Sequence, residues 1–580
     1  VTAFLGIEQS LTGRFWRGPA AEADRLAEAM AQDTALPRPL CQTLARLGVP
    51  AAEAAQYLDP KLRDLMPDPR GLKDMECAAA RVLRAVERRE RIAIFADYDV
   101  DGGASAALLI DWLRQLGLTA TLHVPDRIDE GYGPNAPAMT ELGGAHDLII
   151  CVDCGTLSHD ALAAAQDADV VVLDHHLGGE TLPPALAVVN PNRQDESGDL
   201  AHLCAAAVVF LMLVEAGRQL RKAGKTGPDL MAMLDLVALA TVADVAPLRG
   251  VNRAFVRAGL HVMGQRQRLG LVALGDLARI DTAPTTYHLG FVLGPRINAG
   301  GRVGRADLGA RLLSTQDAAE AQALAERLDQ LNAERREVEA AVRAAALNQA
   351  EARGLDAPLV WAAGDGWHPG VVGIVAARLK EATNRPAIVI GFEGDEGKGS
   401  GRSVSGVDLG HAIQRLAAEG LLRKGGGHKM AAGLTVARDK LEPAMTRLAD
   451  LLGRQGAGQA GPADLHLDGL LMPGAATPEL VTQIEAAGPF GAGAPGPRYV
   501  FPQMGVTFAK RVGENHLKLR FGEGGGPTLD AIAFGAFDGP LGAALEGHGG
   551  AQFHLAGRLE INTWGGRQSV QLRLEDAAPA

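Results

Sequence analysis

The sequence predicts an α/β multidomain protein: a parallel-sheet domain, a long connecting helix, a second α/β domain and a C-terminal β-barrel. Three observations carry this expectation. From Arg91 onward, apolar runs of strand length alternate with helical segments, which reads as successive βαβ units. Residues 306–354 are rich in Ala, Glu, Gln and Arg with few, spaced apolar positions, as in a partly exposed helix joining two domains. From Leu465 the segments are short and alternating with Gly-rich turns, as in a small barrel. A chain of 580 residues has room for several cores.

Taken in order, residues 20–31 and 50–58 read as helices with Pro37 and Pro39 between them, and 60–69 is a connector rich in Pro and Asp. Residues 72–91 form an Arg-rich helix (Arg81, Arg84, Arg88, Arg89, Arg91) whose charges read as a solvated face. Strand 92–95 leads through Asp97, Asp99 and Asp101 to helix 104–116. Strand 120–124 leads into loop 125–134, and strand 147–152 into Asp153-Cys154-Gly155. After helix 158–166, strand 170–173 leads to Asp174-His175-His176. Helices 205–216 and 229–240 follow, the second running on to Asp244. The second α/β pattern comprises strand 359–362, helix 371–381, strand 386–391, a Gly-rich loop over 397–402, helix 409–418, the run Gly425-Gly426-Gly427-His428 and helix 440–452. Residues 454–462 read as a flexible linker.

Composition narrows the function. The net charge is −12, which argues against wrapping nucleic acid with a uniformly basic surface but leaves room for a local basic groove. Five cysteines suit a reducing cytoplasm. Cys151 and Cys154 form a CxxC without a second pair, so they read as small buried residues rather than a four-thiolate zinc site. No signal peptide is apparent, and no run reaches the length of a membrane span.

The chemistry gathers where strands end. Asp97, Asp99 and Asp101 follow one strand, Asp153 another, and Asp174, His175 and His176 a third, while Asp244 ends a helix. Neighbouring parallel strands converge at one edge. Carboxylates with one or two imidazoles favour Mn²⁺ or Mg²⁺ over structural zinc. A bridging carboxylate can hold two ions roughly 3.5–4 Å apart, the arrangement that cleaves phosphoesters. Arg forks suit phosphate, and Gly lets backbone amides approach it. Arg127, Ser400 and Arg402 are therefore expected in a phosphate pocket, and Arg296, Asn298 and Arg302 at the next phosphates.

The motifs at 97–102 (DYDVDG), 153–155 (DCG), 174–176 (DHH) and Asp244 resemble the four motifs of the DHH phosphoesterases. The run at 425–428 (GGGH) resembles the signature of the DHH-associated domain. The stretches 127–133, 203–210, 294–302, 367–373, 399–403, 488–497 and 567–576 are similar to one branch, the exonucleases specific for single-stranded DNA. That resemblance implies a 5′→3′ exonuclease releasing mononucleotides, dependent on Mn²⁺ or Mg²⁺, acting in recombination and repair, and makes the pocket of Arg127, Ser400 and Arg402 a 5′-end pocket. It implies an N-terminal segment over 1–65, a DHH domain over 66–305, a connecting helix over 306–355, a DHH-associated domain over 356–455 and an OB-fold over 463–580. Asp99, Asp101, Asp153, His175 and Asp244 would be the metal ligands, with Asp153 as the bridge. Asp97 and His176 would complete the site, and His428 would bind the scissile phosphate. A wider branch has a metal-binding His where this chain has Phe95, and Ala492 and Ala494 depart from the family's usual loop. A monomer that works beside helicases and single-strand-binding proteins is implied. In the barrel, Arg498, Lys510, Arg511, Lys518, Arg520, Arg558, Arg567 and Arg573 are candidates for a strand-gripping track. The rival readings are an oligoribonuclease, a nucleotide phosphatase or pyrophosphatase on the same scaffold, and an inactive DNA-binding subunit.

Overall fold

The computed structural model describes residues 2–126, 130–458, 463–564 and 567–580. Its first sheet has five parallel strands in the order Ala120–His123, Ile92–Ala96, Leu148–Val152, Asp169–Leu173, Ala187–Val189. Ile92–Ala96 and Leu148–Val152 are buried along their whole length, which explains their unbroken apolar runs. The first strand lies between the second and third, so the winding direction reverses there. The crevice beyond such a reversal is where open α/β sheets take ligands.

One face of this sheet carries the large core shared by Met75–Arg88, Val100–Gln115, Ala205–Lys222 and Leu234–Ala243. The other carries a smaller cluster in which Cys151 and Cys154 are fully enclosed with Phe95, Met139 and Leu142. Arg81 departs from its expected place on a solvated face. It is 5% exposed, pairs with Asp169 at 2.5 Å and Glu90 at 2.7 Å, and donates to the Asp147 carbonyl.

The expected connecting stretch is two helices. Leu308–Ser314 packs on Val100–Gln115, and Ala318–Arg353 follows, N-capped by Asp317, which accepts from the Glu320 amide. The long helix belongs to two cores at once. Leu324, Leu328 and Leu331 enter the first domain's core, while Val342 and Ala346 pack against Ala362, Val371 and Val375 of the second.

The second domain has a mixed sheet in the order Lys424–His428, Ala431–Ala437, Glu396–Arg402, Ala387–Glu393, Val360–Asp365, with only the last pair parallel. The Gly-rich loop expected over 397–402 is therefore a strand, and the GGGH run forms the edge strand. In Glu396–Arg402 the glycines alternate inward, and a Cβ on Gly397, Gly399 or Gly401 would come within 2.8 Å of Ile390, Phe392 or Ile388 side-chain atoms. The C-terminal strands Tyr499–Val512, His516–Gly522, Thr528–Ala533, Arg567–Pro579 and Gln552–Trp564 pair in that order, and the last returns to the first to close a barrel. No helix among the described residues is long and apolar enough to cross a membrane.

Candidate metal centre and substrate cleft

The acidic motifs emerge side by side because each continues its strand's ladder by one residue. The Asp97 amide donates to Val152 O, Asp153 to Leu173 O and Asp174 to Val189 O. Asp99 is the N-cap of Val100–Gln115, and its Oδ1 accepts from the amides of Asp101 and Gly102 at 2.8 and 3.1 Å. Gly102 is required by this turn, since a Cβ there would lie 2.3 Å from the Asp97 carbonyl. Asp101, 1% exposed, is held by the first amides of another helix, Ala205 at 2.7 Å and Ala206 at 2.8 Å. A helix N-terminus favours a carboxylate there.

Asp153 is the centre of the cluster. Its backbone is left-handed (φ 60°), it is 2% exposed, and its Oδ1 accepts no hydrogen bond among the described residues. His175 Nε2 lies 3.2 Å from that oxygen and 3.7 Å from Asp101 Oδ2, while its Nδ1 lies 3.8 Å from Asp244 Oδ2. Three overlapping triads bring their donor atoms within 4.8 Å of one another: Asp153, His175 and His176; Asp101, His175 and Asp244; Asp97, Asp99 and Asp153. Asp153 and His175 each belong to two of them.

Electrostatics sharpen the picture. Burial, then the neighbouring carboxylates, push the carboxyls of Asp101 and Asp153 upward and that of Asp244 to about 8. Burial would raise Asp174 as well, but the hydrogen bond and charge of His176, together with the hydrogen bonds from Thr156, outweigh that and hold it low. Burial disfavours charge on His176, yet the bond and charge of Asp174, with the nearby Asp97 and Asp244, together lift its pKa to about 9. Crowded, desolvated carboxylates with an orphaned oxygen need positive charge. The O/N donor set suits a hard or borderline divalent cation, so these residues fit Mn²⁺ or Mg²⁺. The thiols of the CxxC are enclosed in the apolar cluster, with Cys154 Sγ donating to Val152 O.

Across the cleft, Arg302 Nη1 donates to the Gly370 carbonyl at 3.0 Å, at the start of the helix Pro369–Thr383. A Cβ on Gly373 of that helix would meet Ser400 Oγ at 3.0 Å and Arg402 Nη2 at 3.3 Å, and Arg402 Nη1 donates to Ser400 Oγ. Arg302, Ser400 and Arg402 thus gather around one helix start. Asn298 Oδ1 accepts from the Val100 amide at 3.0 Å, bracing the backbone beside Asp99. Arg296 is ion-paired to Asp329 at 2.8 Å and donates to Val292 O. His428 is exposed on the edge strand, outside the three triads. Arg127 lies outside the described residues.

The single-stranded-DNA-specific exonuclease RecJ of Dickeya dadantii is 38% identical over 94% of this chain and 98% of its own length. The chain belongs to the RecJ family. Its residues 91–241 match the N-terminal domain of the DHH family, 356–454 the DHHA1 domain and 467–576 the RecJ OB domain. The crystal structure of RecJ from Thermus thermophilus in complex with Mn²⁺ superposes with a TM-score of 0.79 at 30% identity, covering 97% of this chain and 79% of that one. The Mg²⁺ complex from the same organism gives 0.73 at 28% identity, covering 97% and 78%.

One contributor, Tyr132, and the particular role of a second, Asp174, were not anticipated from sequence. Tyr132 donates to the Asp153 carbonyl at 3.1 Å, and its ring packs edge-on against His176 with centroids 5.5 Å apart. Its only signal was an aromatic between two glycines, both of which adopt positive φ. Asp174 lies outside the triads, accepting from the amides of Thr156, His175 and His176 and bonding His176 Nδ1 at 2.8 Å. It is a positioning residue for the histidines, a role that depends on turn geometry the motif does not reveal.

Proposed function

We propose that the protein hydrolyses single-stranded DNA from its 5′ end, releasing 5′-mononucleotides, with two divalent ions, Mn²⁺ or Mg²⁺. Asp153, a member of two triads whose buried Oδ1 accepts no hydrogen bond among the described residues, is the observation that carries this reading. The named relatives act on single-stranded DNA, and solved members hold Mn²⁺ or Mg²⁺. Asp99, Asp101, Asp153, His175 and Asp244 would hold the ions, with Asp153 as the shared ligand, and Asp97 and His176 would complete the site. Such ions supply a water of lowered pKa and neutralise the phosphodiester's charge.

The chain's own groups do the rest. Asp99 and Asp101 are pre-set by helix starts, so little reorganisation accompanies reaction. Asp174 keeps His176 oriented toward the cluster. Ser400 and Arg402, with Arg127, take the terminal 5′ phosphate and so set direction. Arg302 and Asn298 hold the following phosphates, and His428 the scissile one. Arg296 would first have to leave Asp329 to take up that role. In the barrel, exposed Lys510 and Lys518 lie directly opposite on paired strands, with no ion-pair partner among the described residues. Like charges placed so repel, and an anionic strand relieves them. Exposed Phe508 and Phe534 lie beside them. A monomer in a reducing cytoplasm, serving recombination and repair beside helicases and single-strand-binding proteins, is the setting this reading implies.

The test uses 5′- and 3′-labelled single-stranded DNA with Mn²⁺. The 5′ label is expected to appear at once as mononucleotide while the 3′ label shortens stepwise, and Asp153→Ala is expected to lose roughly 10³-fold or more in rate. Release from the 3′ end, or an active Asp153→Ala, overturns the proposal.

A further inference from the structure

The lip of the cleft beside Asp244 carries aromatic surface that hydrolysis does not use. Tyr287 and Phe291 are 52% and 71% exposed, and their rings are stacked, with centroids 5.4 Å apart and planes 26° from parallel. Tyr287 immediately precedes a π-helical turn, His288–Leu293, and Phe291 lies within it. Such turns are rare and concentrate at functional sites.

The turn is firmly mounted. Leu289 and Leu293 are buried beneath it. The turn lies against the end of Leu234–Ala243, where a Cβ on Gly290 would meet Val242 at 3.4 Å and one on Gly294 would meet Ala243 at 3.5 Å, both ordinary contact distances. Asp244 is the next residue along that helix. Val245 follows, 69% exposed with φ 59°, a conformation β-branched residues rarely adopt. Thr286 Oγ1 donates to Phe490 O at 2.8 Å, tying the turn to the loop before the barrel. On its other side the turn runs into Gly294–Val303, which carries Asn298 and Arg302.

That ten-residue helix sets a direction. Its far end, at Arg302, meets the helix start where Ser400 and Arg402 gather. Its near end continues from the turn that holds the ring pair, about 15 Å from Arg302 at 1.5 Å per residue. A strand whose 5′ phosphate lies at Ser400 and Arg402 would pass the ligands before it reaches the rings. Every nucleobase has a π-face, and an unpaired base leaves it available, so aromatic platforms hold single strands without regard to sequence.

We infer that Tyr287 and Phe291 form a base-stacking platform that seats one unpaired base on the 3′ side of the scissile phosphate. The direction rests on the proposed 5′-end polarity, whereas the stacking does not. The test places 2-aminopurine at successive positions of 5′-phosphorylated single strands and measures quenching on binding to the full chain carrying Asp153→Ala, which prevents cleavage. Quenching is expected at one position, and adding Phe291→Ala or Tyr287→Leu is expected to abolish it. With Asp153 intact, Phe291→Ala is expected to raise KM about tenfold on ordinary strands with kcat within about twofold. Both side chains are largely exposed, so neither change empties a core. No quenching at any position, quenching that survives both variants, or an unchanged KM overturns the platform. Cleavage from the 3′ end with quenching still lost in the variants overturns the polarity and leaves the platform standing.

Discussion

Asp153 shows at the scale of one residue how backbone and side chain are set together. A left-handed backbone immediately after a buried strand brings its carboxylate into a space already crowded by Asp97, Asp99, Asp101 and His175. Burial and that crowding raise the pKa of Asp101, Asp153 and Asp244, the last to about 8. The sign of the consequence follows from proton counting. An unfolded Asp titrates near pH ~3.9, so between about 4 and 8 the folded metal-free protein binds more protons than the unfolded chain. Its stability therefore falls as pH rises through that interval. Cations must displace those protons, so their stabilising effect grows over the same range. Thermal unfolding with and without Mn²⁺ at pH 5.5 and pH 8 should give a larger Mn²⁺-induced shift at pH 8. Equal shifts at the two pH values would show that these carboxyls are already ionised without metal.

At the scale of elements, the Glu396–Arg402 strand shows why some features were legible and others were not. Three inward glycines give it no apolar alternation, so its sequence reads as a loop, yet Ile390, Phe392 and Leu434 fill the space that side chains would take. Gly399→Val is expected to destabilise the second domain by about 1–3 kcal/mol through overpacking and to disturb Ser400 and Arg402 next to it. Gly433→Ala, whose Cβ would have no neighbour closer than 4.0 Å, is the matched control and should be silent. Urea unfolding of both variants decides the point, and two silent variants would mean that the sheet yields to the extra volume. The parallel strands were readable for the opposite reason, because burial on both faces writes continuous Ile and Val into the sequence. The helix Val100–Gln115 starts inside the acidic motif, four residues before its expected start at 104, because Asp99 caps it, and carboxylates read equally well as loop or cap. Arg38–Arg46 was hidden by Pro37 and Pro39, which sit at a helix start where a missing amide costs nothing. Proximity of Asp97, Asp153 and His175 was legible from strand ends, and Asp244 was expected to join them from the end of a helix. The engagement of Arg296 by Asp329 was not, because its partner lies on a helix from a distant part of the chain.

At the scale of the molecule, the first sixty residues, nearly silent as sequence, fasten the barrel to the rest. Trp16–Arg17 pairs in parallel with Leu465–His466, and Trp16, fully buried among Leu465, Leu467, Val500, Ala556 and Ala578, donates its indole N–H to Asp576 at 2.9 Å. Arg46 pairs with the buried Asp468, and Tyr499 donates to the Pro39 carbonyl. Arg253 of the first domain lies over the Tyr57 ring at 3.7 Å and donates to the carbonyls of Tyr57 and Gly488, joining the N-terminal segment, the catalytic domain and the barrel's leading loop at one point. That loop also reaches the residues after Asp244, where the Leu248 amide donates to Ala492 O. The barrel's position relative to the cleft therefore depends on a segment more than four hundred residues away in sequence. Trp16→Ala should remove about 3–5 kcal/mol of packing and leave a buried Asp576 oxygen without its donor. The expected result is a barrel that unfolds before the catalytic domain, seen as two calorimetric transitions in place of one. Cleavage of strands too short to reach the barrel should be nearly unchanged, while long strands should show a raised KM. A single transition with equal losses on short and long strands would mean instead that the segment supports the catalytic domain directly and that the barrel is held by its other contacts.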